Sequence, residues 1–284
     1  MVRLSTGYLE THGSSSPRLD AELLAAQALN LRRLDVFLQF DRPLEEEQLG
    51  AIRELVRRRG DGEPVAHITG EREFHARAFR VTPDVLIPRP ETETLVGLAI
   101  AEAQRRSPGG EGLRIADIAT GSGCIAVTMA AELPGARVTA TDVSEAALSV
   151  AGVNATRHQV ADRVELVLGS WCAPLAGQAF DIVVANPPYI PTGELADLAR
   201  DVRDHEPVLA LDGGTDGLDA YRELLPSTAT VIADGGWLAL EIDIRAAAAI
   251  AALAIEALGP GTVTQTHPDL TDRPRVVTLT RAQR

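Results

Sequence analysis

After Gly112 the chain alternates short apolar segments with helical patterns, and this constrains the fold more than any other feature. Residues 113–118, 137–141, 164–168 and 180–185 read as strands, with helices over 124–133 and 145–157. Apolar strands bounded by turns and alternating with helices predict a mostly parallel sheet covered on both faces. A further strand over 237–242 follows the turn at Gly235-Gly236 and precedes an alanine-rich helix over 245–258. The last strand, 276–280, is expected to close the sheet edge in antiparallel fashion. The fold class is therefore α/β, a Rossmann-like sheet with one antiparallel strand.

The first turn of that pattern, Ala119-Thr120-Gly121-Ser122-Gly123, carries the strongest binding signal. Glycines let the backbone turn sharply and approach a ligand closely, and the following helix offers free N–H groups. About 20 residues further on, the second strand ends at Asp142, where a carboxylate can accept from two ribose hydroxyls. An adenosine-containing cofactor fits this pair. The same loop also matches the looser pattern of nicotinamide dinucleotide sites, so an oxidoreductase, or a binding protein without catalysis, stays open here. Asp117, just ahead of the loop, favours S-adenosylmethionine, because a carboxylate can engage its amino-acid end and would repel a pyrophosphate. Trp171 either flanks the adenine and sulfonium or serves as a half-buried core aromatic. Cys124 is expected to be a small buried apolar residue, not a nucleophile.

The fourth strand runs directly into Asn186-Pro187-Pro188-Tyr189, on the sheet edge where ligands of such folds bind. A planar NH2 group is a poor nucleophile because its lone pair is delocalised, so it must be held with that pair aimed at the methyl carbon. The Asn186 side-chain oxygen can accept one N–H and the Pro187 carbonyl the other. The two prolines stiffen the loop and remove competing donors, and Tyr189 can stack on the planar group. Asn186, Pro187 and Tyr189 are the expected catalytic residues, and Pro188 completes the substrate loop. Asp117, Ala119, Thr120, Gly121, Ser122, Gly123, Asp142, Trp171 and Asn186 are the expected cofactor contacts.

Upstream, residues 17–30 and 44–59 have helical periodicity and suggest a small helical domain over 1–72. A β-hairpin connector is expected over 73–90, a helix over 91–106, and the main domain over 91–284. The formal charge is −13, with 40 acidic residues against 27 basic ones, which argues against a partner held mainly through its phosphates. Two cysteines and six histidines without paired ligand spacing predict no metal centre. Neither a signal peptide nor an apolar span of membrane length is evident, so a cytoplasmic protein with no membrane partner is expected.

Several further segments carry a family resemblance. They are Leu19-Asp20-Ala21-Glu22-Leu23-Leu24, Gly70-Glu71-Arg72-Glu73-Phe74, Leu86-Ile87-Pro88-Arg89-Pro90-Glu91-Thr92-Glu93, Glu206-Pro207 and Gly213-Gly214-Thr215-Asp216-Gly217-Leu218-Asp219. With the glycine loop and Asn186–Tyr189, the chain resembles the peptide chain release factor glutamine methyltransferases (the HemK/PrmC family) over nearly its whole length. The resemblance implies a class I S-adenosylmethionine-dependent methyltransferase fold. It also implies methylation of the glutamine side-chain nitrogen in the Gly-Gly-Gln loop of class 1 release factors, with S-adenosylhomocysteine as product and the helical domain helping to dock the release factor. The alternatives are an adenine-N6 methyltransferase acting on DNA or RNA, which shares the Asn-Pro-Pro-Tyr element, or a protein glutamine methyltransferase with another substrate. The chain departs from the family pattern at Ala119, Ser170, Asp243 and Ala246. Alanine at 119 is expected to require a negative φ.

Overall fold

A computed structural model describes residues 1–39 and 41–283. The chain divides into two compact units: Met1–Glu71 with Leu198–His205, and Arg72–Asp197 with Glu206–Arg284.

The smaller unit contains helices α1 (Val2–Thr11), α2 (Pro17–Leu29), α3 (Arg33–Leu38), α4 (Glu46–Gly60) and α5 (Val65–Thr69). Pro17 opens α2 where its missing N–H costs nothing, and Asn30 ends it in the left-handed region. Glu45 and Gln48 form a reciprocal capping box on α4, whose last turn carries Arg57, Arg58 and Arg59, the sign its dipole favours. Leu9, Ala21, Leu24 and Ile52 are fully buried between these helices. The Leu19-Asp20-Ala21 segment has a structural role. The buried Asp20 carboxylate takes Arg59 at 2.8 Å, and Arg59 also reaches Asp201 at 3.2 Å. Sequence periodicity missed α1, which carries a glycine at position 7 and leaves Leu4 73% exposed.

The larger unit opens with a hairpin of β1 (Glu71–Phe74) and β2 (Arg77–Arg80). Its two-residue turn holds His75 and Ala76 at φ 49° and 57°, a geometry usually signalled by Asn-Gly. Then follow α6 (Thr92–Arg106), β3 (Arg114–Ile118), α7 (Cys124–Glu132), β4 (Arg137–Asp142), α8 (Glu145–Arg157), β5 (Val164–Leu168) and β6 (Phe180–Ala185). The short α9 (Arg200–Arg203) belongs to the smaller unit, and the larger unit continues with α10 (Asp219–Thr228), β7 (Ile232–Glu241), α11 (Ala247–Leu258), β8 (Val263–Pro268) and β9 (Pro274–Thr280). Seven strands form one sheet in the order β5-β4-β3-β6-β7-β9-β8, with β9 antiparallel to its neighbours β7 and β8.

Two expectations need correction. The last strand does not close the sheet: β9 lies between β7 and the edge strand β8. Its neighbour escaped notice because β8 shows a mostly exposed pattern with little apolar alternation. The glycine pair at 235–236 is not a turn ahead of a strand. It lies inside β7, where the pairing with β6 shifts register between Phe180–Ile232 and Ile182–Trp237, and Gly235 at φ 70° absorbs the irregularity.

Helices α6, α7 and α8 contribute to a core on one face of the sheet, with Ile115, Val127, Met129, Leu133 and Ile182 fully buried. Helices α10 and α11 cover the other face with Tyr221, Leu224, Leu225 and Ile250. Burying each such side chain contributes roughly 1.5–3 kcal/mol before conformational entropy is deducted. The order of strands reverses between β3 and β6, where successive connections leave in opposite directions. A crevice opens at the C-terminal ends of the strands at such a point. Among the described residues, no helix is long and apolar enough to cross a membrane.

Candidate active site

The crevice is a cavity of about 830 Å³, within the size range of small-molecule sites. Its walls come from the loop after β3 (Ala119, Thr120, Gly121, Ser122), the end of β4 (Asp142, Val143, Ser144) and the segment after β5 (Gly169, Ser170, Trp171). Asn186 and Pro188 after β6, the connector with Pro88, Arg89 and Thr92, and residues 207–210 complete it.

The glycine loop is shaped by its neighbours. Asp142 accepts the Gly121 N–H at 2.8 Å through Oδ2 and the Ser144 N–H at 2.9 Å through Oδ1, joining the ends of β3 and β4. Gly123 has φ 77°, and a Cβ there would lie 2.9 Å from Cβ of Ala151, so glycine is required sterically as well as conformationally. Behind the loop, the buried Asn154 accepts from the Arg80 N–H and donates to the carbonyls of Arg80 and Ser122, tying hairpin, loop and α8 together.

Ala119 overturns an expectation. Its φ is +59°, in the left-handed region, so alanine is accommodated there with strain and not by a shift to negative φ. The reason lies in the turn itself: the Thr120 N–H bonds to the Thr141 carbonyl at 2.9 Å and the Gly123 N–H to the Thr120 carbonyl at 2.8 Å, which holds the backbone path whichever residue occupies 119.

Asp117 sits elsewhere than a ligand contact on the cavity wall. It is fully buried beneath the loop, where Oδ2 accepts from the Thr120 hydroxyl at 2.6 Å and from the Ala126 N–H at 3.0 Å. Its Oδ1 is buried without a hydrogen-bond partner. Burial pushes its carboxyl up to about 7, against the pull of those two donors. Cys124 is buried at the start of α7, and burial pushes its thiol up to about 12, so it is inert at neutral pH.

Trp171 lines the cavity in a left-handed conformation (φ 48°), and its Nε1–H donates to Glu223 at 2.8 Å. Asn186 faces the cavity, and its Nδ2 donates to the Thr92 hydroxyl at 3.3 Å. Tyr189 is not on the cavity wall; its hydroxyl donates to the buried Glu241 at 3.3 Å and its ring packs against the apolar layer of α10, α11 and β7. The backbone at Tyr189 is closely covered, since a Cβ on Gly213 would stand 2.7 Å from Tyr189 Cα. Pro187 is buried.

Sequence reasoning missed several residues that organise the site. Glu206 is buried and accepts from Arg89 at 2.5 Å and from the Ile87 N–H at 3.0 Å, which pins the proline-rich connector against the cavity. The Glu206-Pro207 and Pro88-Arg89 segments marked family resemblance without revealing that they pair. Val143, Val208 and Leu209, exposed by 56%, 58% and 62%, form an apolar rim. Of the departures from the family pattern, Ser170 lines the cavity and Asp243 binds Arg245, which in turn pairs with Glu194 at 2.9 Å.

Comparison with known proteins bears on what this site serves. Residues 1–70 match the family model of the PrmC N-terminal domain, and residues 103–202 match that of the methyltransferase small domain. A release factor glutamine methyltransferase of Geobacter sulfurreducens is 46% identical over 238 residues, covering 84% of this chain and 81% of the relative. One from Moorella thermoacetica is 46% identical over 267 residues, covering 94% and 92%. Among solved structures, a ribosomal protein L11 methylase from Lactobacillus delbrueckii superposes with a TM-score of 0.50 at 20% identity, covering 69% of this chain and 81% of that one, a likeness of fold alone. With identity this high sustained along both sequences, the chain belongs to the release factor glutamine methyltransferase family.

Proposed function

We propose that this protein transfers the methyl group of S-adenosylmethionine to the side-chain amide nitrogen of the glutamine in the Gly-Gly-Gln loop of class 1 peptide chain release factors. The observation that carries this reading is the placement of Asn186 on the wall of the same cavity as the glycine loop and Asp142, across the point where the strand order reverses. The residues present fit the cofactor. Asp142 keeps lone pairs on both oxygens for ribose hydroxyls, and Trp171 offers a ring face on the same cavity wall. Bound there, S-adenosylmethionine supplies an electrophilic methyl on a sulfonium.

The chain's own contribution is orientation. The Asn186 Oδ1 and the Pro187 carbonyl accept the two N–H bonds of the substrate amide, which fixes its plane and turns its lone pair toward the methyl donor. Two prolines and the Gly213 contact hold these acceptors before the substrate arrives, so little reorganisation is needed at reaction. Val143, Val208 and Leu209 give the cavity mouth an apolar rim suited to a protein loop. The helical unit helps to dock the release factor, and the protein works in the cytoplasm.

The test is transfer of labelled methyl from the cofactor to a purified release factor, compared with the same factor carrying alanine in place of the Gly-Gly-Gln glutamine. Labelling is expected only on the unaltered factor. Asn186→Ala should retain S-adenosylhomocysteine binding and lower kcat by about 10²–10³-fold, the usual cost of losing one oriented polar group. Labelling of the alanine factor, or of DNA or RNA alone, refutes the assignment.

A further inference from the structure

Helix α10 grips the segment that follows β5 at two points. Glu223 and Ser227 lie four positions apart and so share one face of the helix. Glu223 Oε2 accepts from the Trp171 Nε1–H at 2.8 Å, and Ser227 Oγ accepts from the Cys172 N–H at 3.0 Å. From the end of β4 the Thr141 hydroxyl donates to the Trp171 carbonyl at 2.9 Å. The backbone at Trp171 is therefore held from both sides at φ 48°, a conformation that a bulky residue rarely adopts. What this strained turn presents is the indole: the ring rests against the apolar layer under α10 and α11 and borders the cavity.

An indole has a single polar atom, and it only donates. With the backbone fixed, the ring is still free to turn about its side-chain torsions, and a carboxylate at its N–H removes that freedom through a charge-assisted bond. Glu223 is exposed, so the bond and not packing is what it contributes. We infer that Glu223 is a positioning residue for the cofactor site: by holding the Trp171 Nε1–H it presets the ring plane that receives the adenosine part of S-adenosylmethionine. A ring fixed beforehand loses less freedom when the cofactor binds than one that must be immobilised at that moment. The gain is the same before and after methyl transfer, so it acts on cofactor affinity and not on the chemical step. This inference rests on the cofactor contact proposed above for Trp171.

Two changes test it. Glu223→Ala removes the acceptor, and Glu223→Gln keeps one in its amide oxygen. By calorimetry the Kd for S-adenosylhomocysteine should rise roughly 3–10-fold in Glu223→Ala, the range for one side chain that binding must then immobilise, and Glu223→Gln should recover most of the loss. In methyl transfer the change should fall on KM for S-adenosylmethionine and not on kcat. The chain has two tryptophans, so a 15N spectrum carries two indole N–H signals, and Trp171→Phe identifies one of them by its loss. Glu223→Ala should move that signal and leave the signal of Trp237 in place. In a Trp171→Phe background Glu223→Ala should cost no further affinity, because the ring N–H it holds is gone. The calorimetric and spectral readouts need no methyl acceptor. If the parent labels no release factor yet both behave as expected, the proposed substrate is wrong and the positioning role stands. A parent that binds no S-adenosylhomocysteine removes the cofactor reading and this inference with it. An unmoved indole signal, or an affinity loss undiminished in the Trp171→Phe background, overturns the inference alone.

Discussion

Replacing Ala119 by glycine should stabilise the protein, contrary to the usual effect of that substitution. At φ +59° a Cβ crowds the neighbouring carbonyl, which costs an L-residue about 1–2 kcal/mol, and glycine removes that cost. Against this, glycine adds freedom to the unfolded chain worth about 0.4–1 kcal/mol. The net gain is about 0.5–1 kcal/mol. For a unit of roughly 200 residues that corresponds to a rise of about 1–4 °C in its melting transition. A suitable control is Ala176→Gly. That exposed residue has φ −52°, where glycine relieves nothing and should destabilise by a few tenths of a kcal/mol or more. Both variants can be followed by circular dichroism with and without S-adenosylhomocysteine. Opposite signs for the two substitutions support the strain argument. A fall in the Ala119→Gly midpoint matching that of the control would refute it, and would mean that the loop relaxes to negative φ in solution.

Two other outcomes follow from the loop. Asp117 has its folded pKa raised to about 7 from an unfolded value near 4. The native state therefore binds the extra proton between these values, and the associated stability, fully present below about pH 4, is lost as pH rises through about 7. Three units correspond to at most about 4 kcal/mol. Buried Glu241 shifts in the same direction, so the measurement is the difference between parent and Asp117→Asn, whose urea midpoint should fall less steeply over that window; parallel pH curves contradict the assignment. Gly123→Ala would place a methyl 2.9 Å from Cβ of Ala151 at φ 77° and should cost about 2–4 kcal/mol in urea denaturation, whereas a loss below about 1 kcal/mol would show that α8 can yield.

Local signals made the centre of the fold legible. Strands β4 to β6 and helix α8 fall close to where alternation of apolar runs and helical periodicity places them, because each buries its apolar face in a parallel sheet. Elements with weak local signatures were not legible. Edge strand β8 lacks apolar alternation, and α1 is punctuated by Gly7 and a largely exposed leucine. The interior glycines of β7 imitate a turn, because a bulge needs the same backbone freedom as a turn does.

For the site, the chain order of amino acids determined which groups can meet a cofactor and an amide. A glycine turn, an acid at the next strand end and an Asn-Pro-Pro-Tyr run after a buried strand each carry their meaning within a few neighbouring residues. Tertiary structure decided the roles of the acids and hydroxyls around them. Thr92 is 94 positions from Asn186 and Glu241 is 52 from Tyr189, yet folding brings each pair within hydrogen-bonding distance. Glu206 reaches Ile87 across 119 positions. Whether a carboxylate faces a ligand, braces a loop or orients a neighbour depends on its burial and on the donors around it. Those are properties of the packed chain, and no local pattern of residues encodes them.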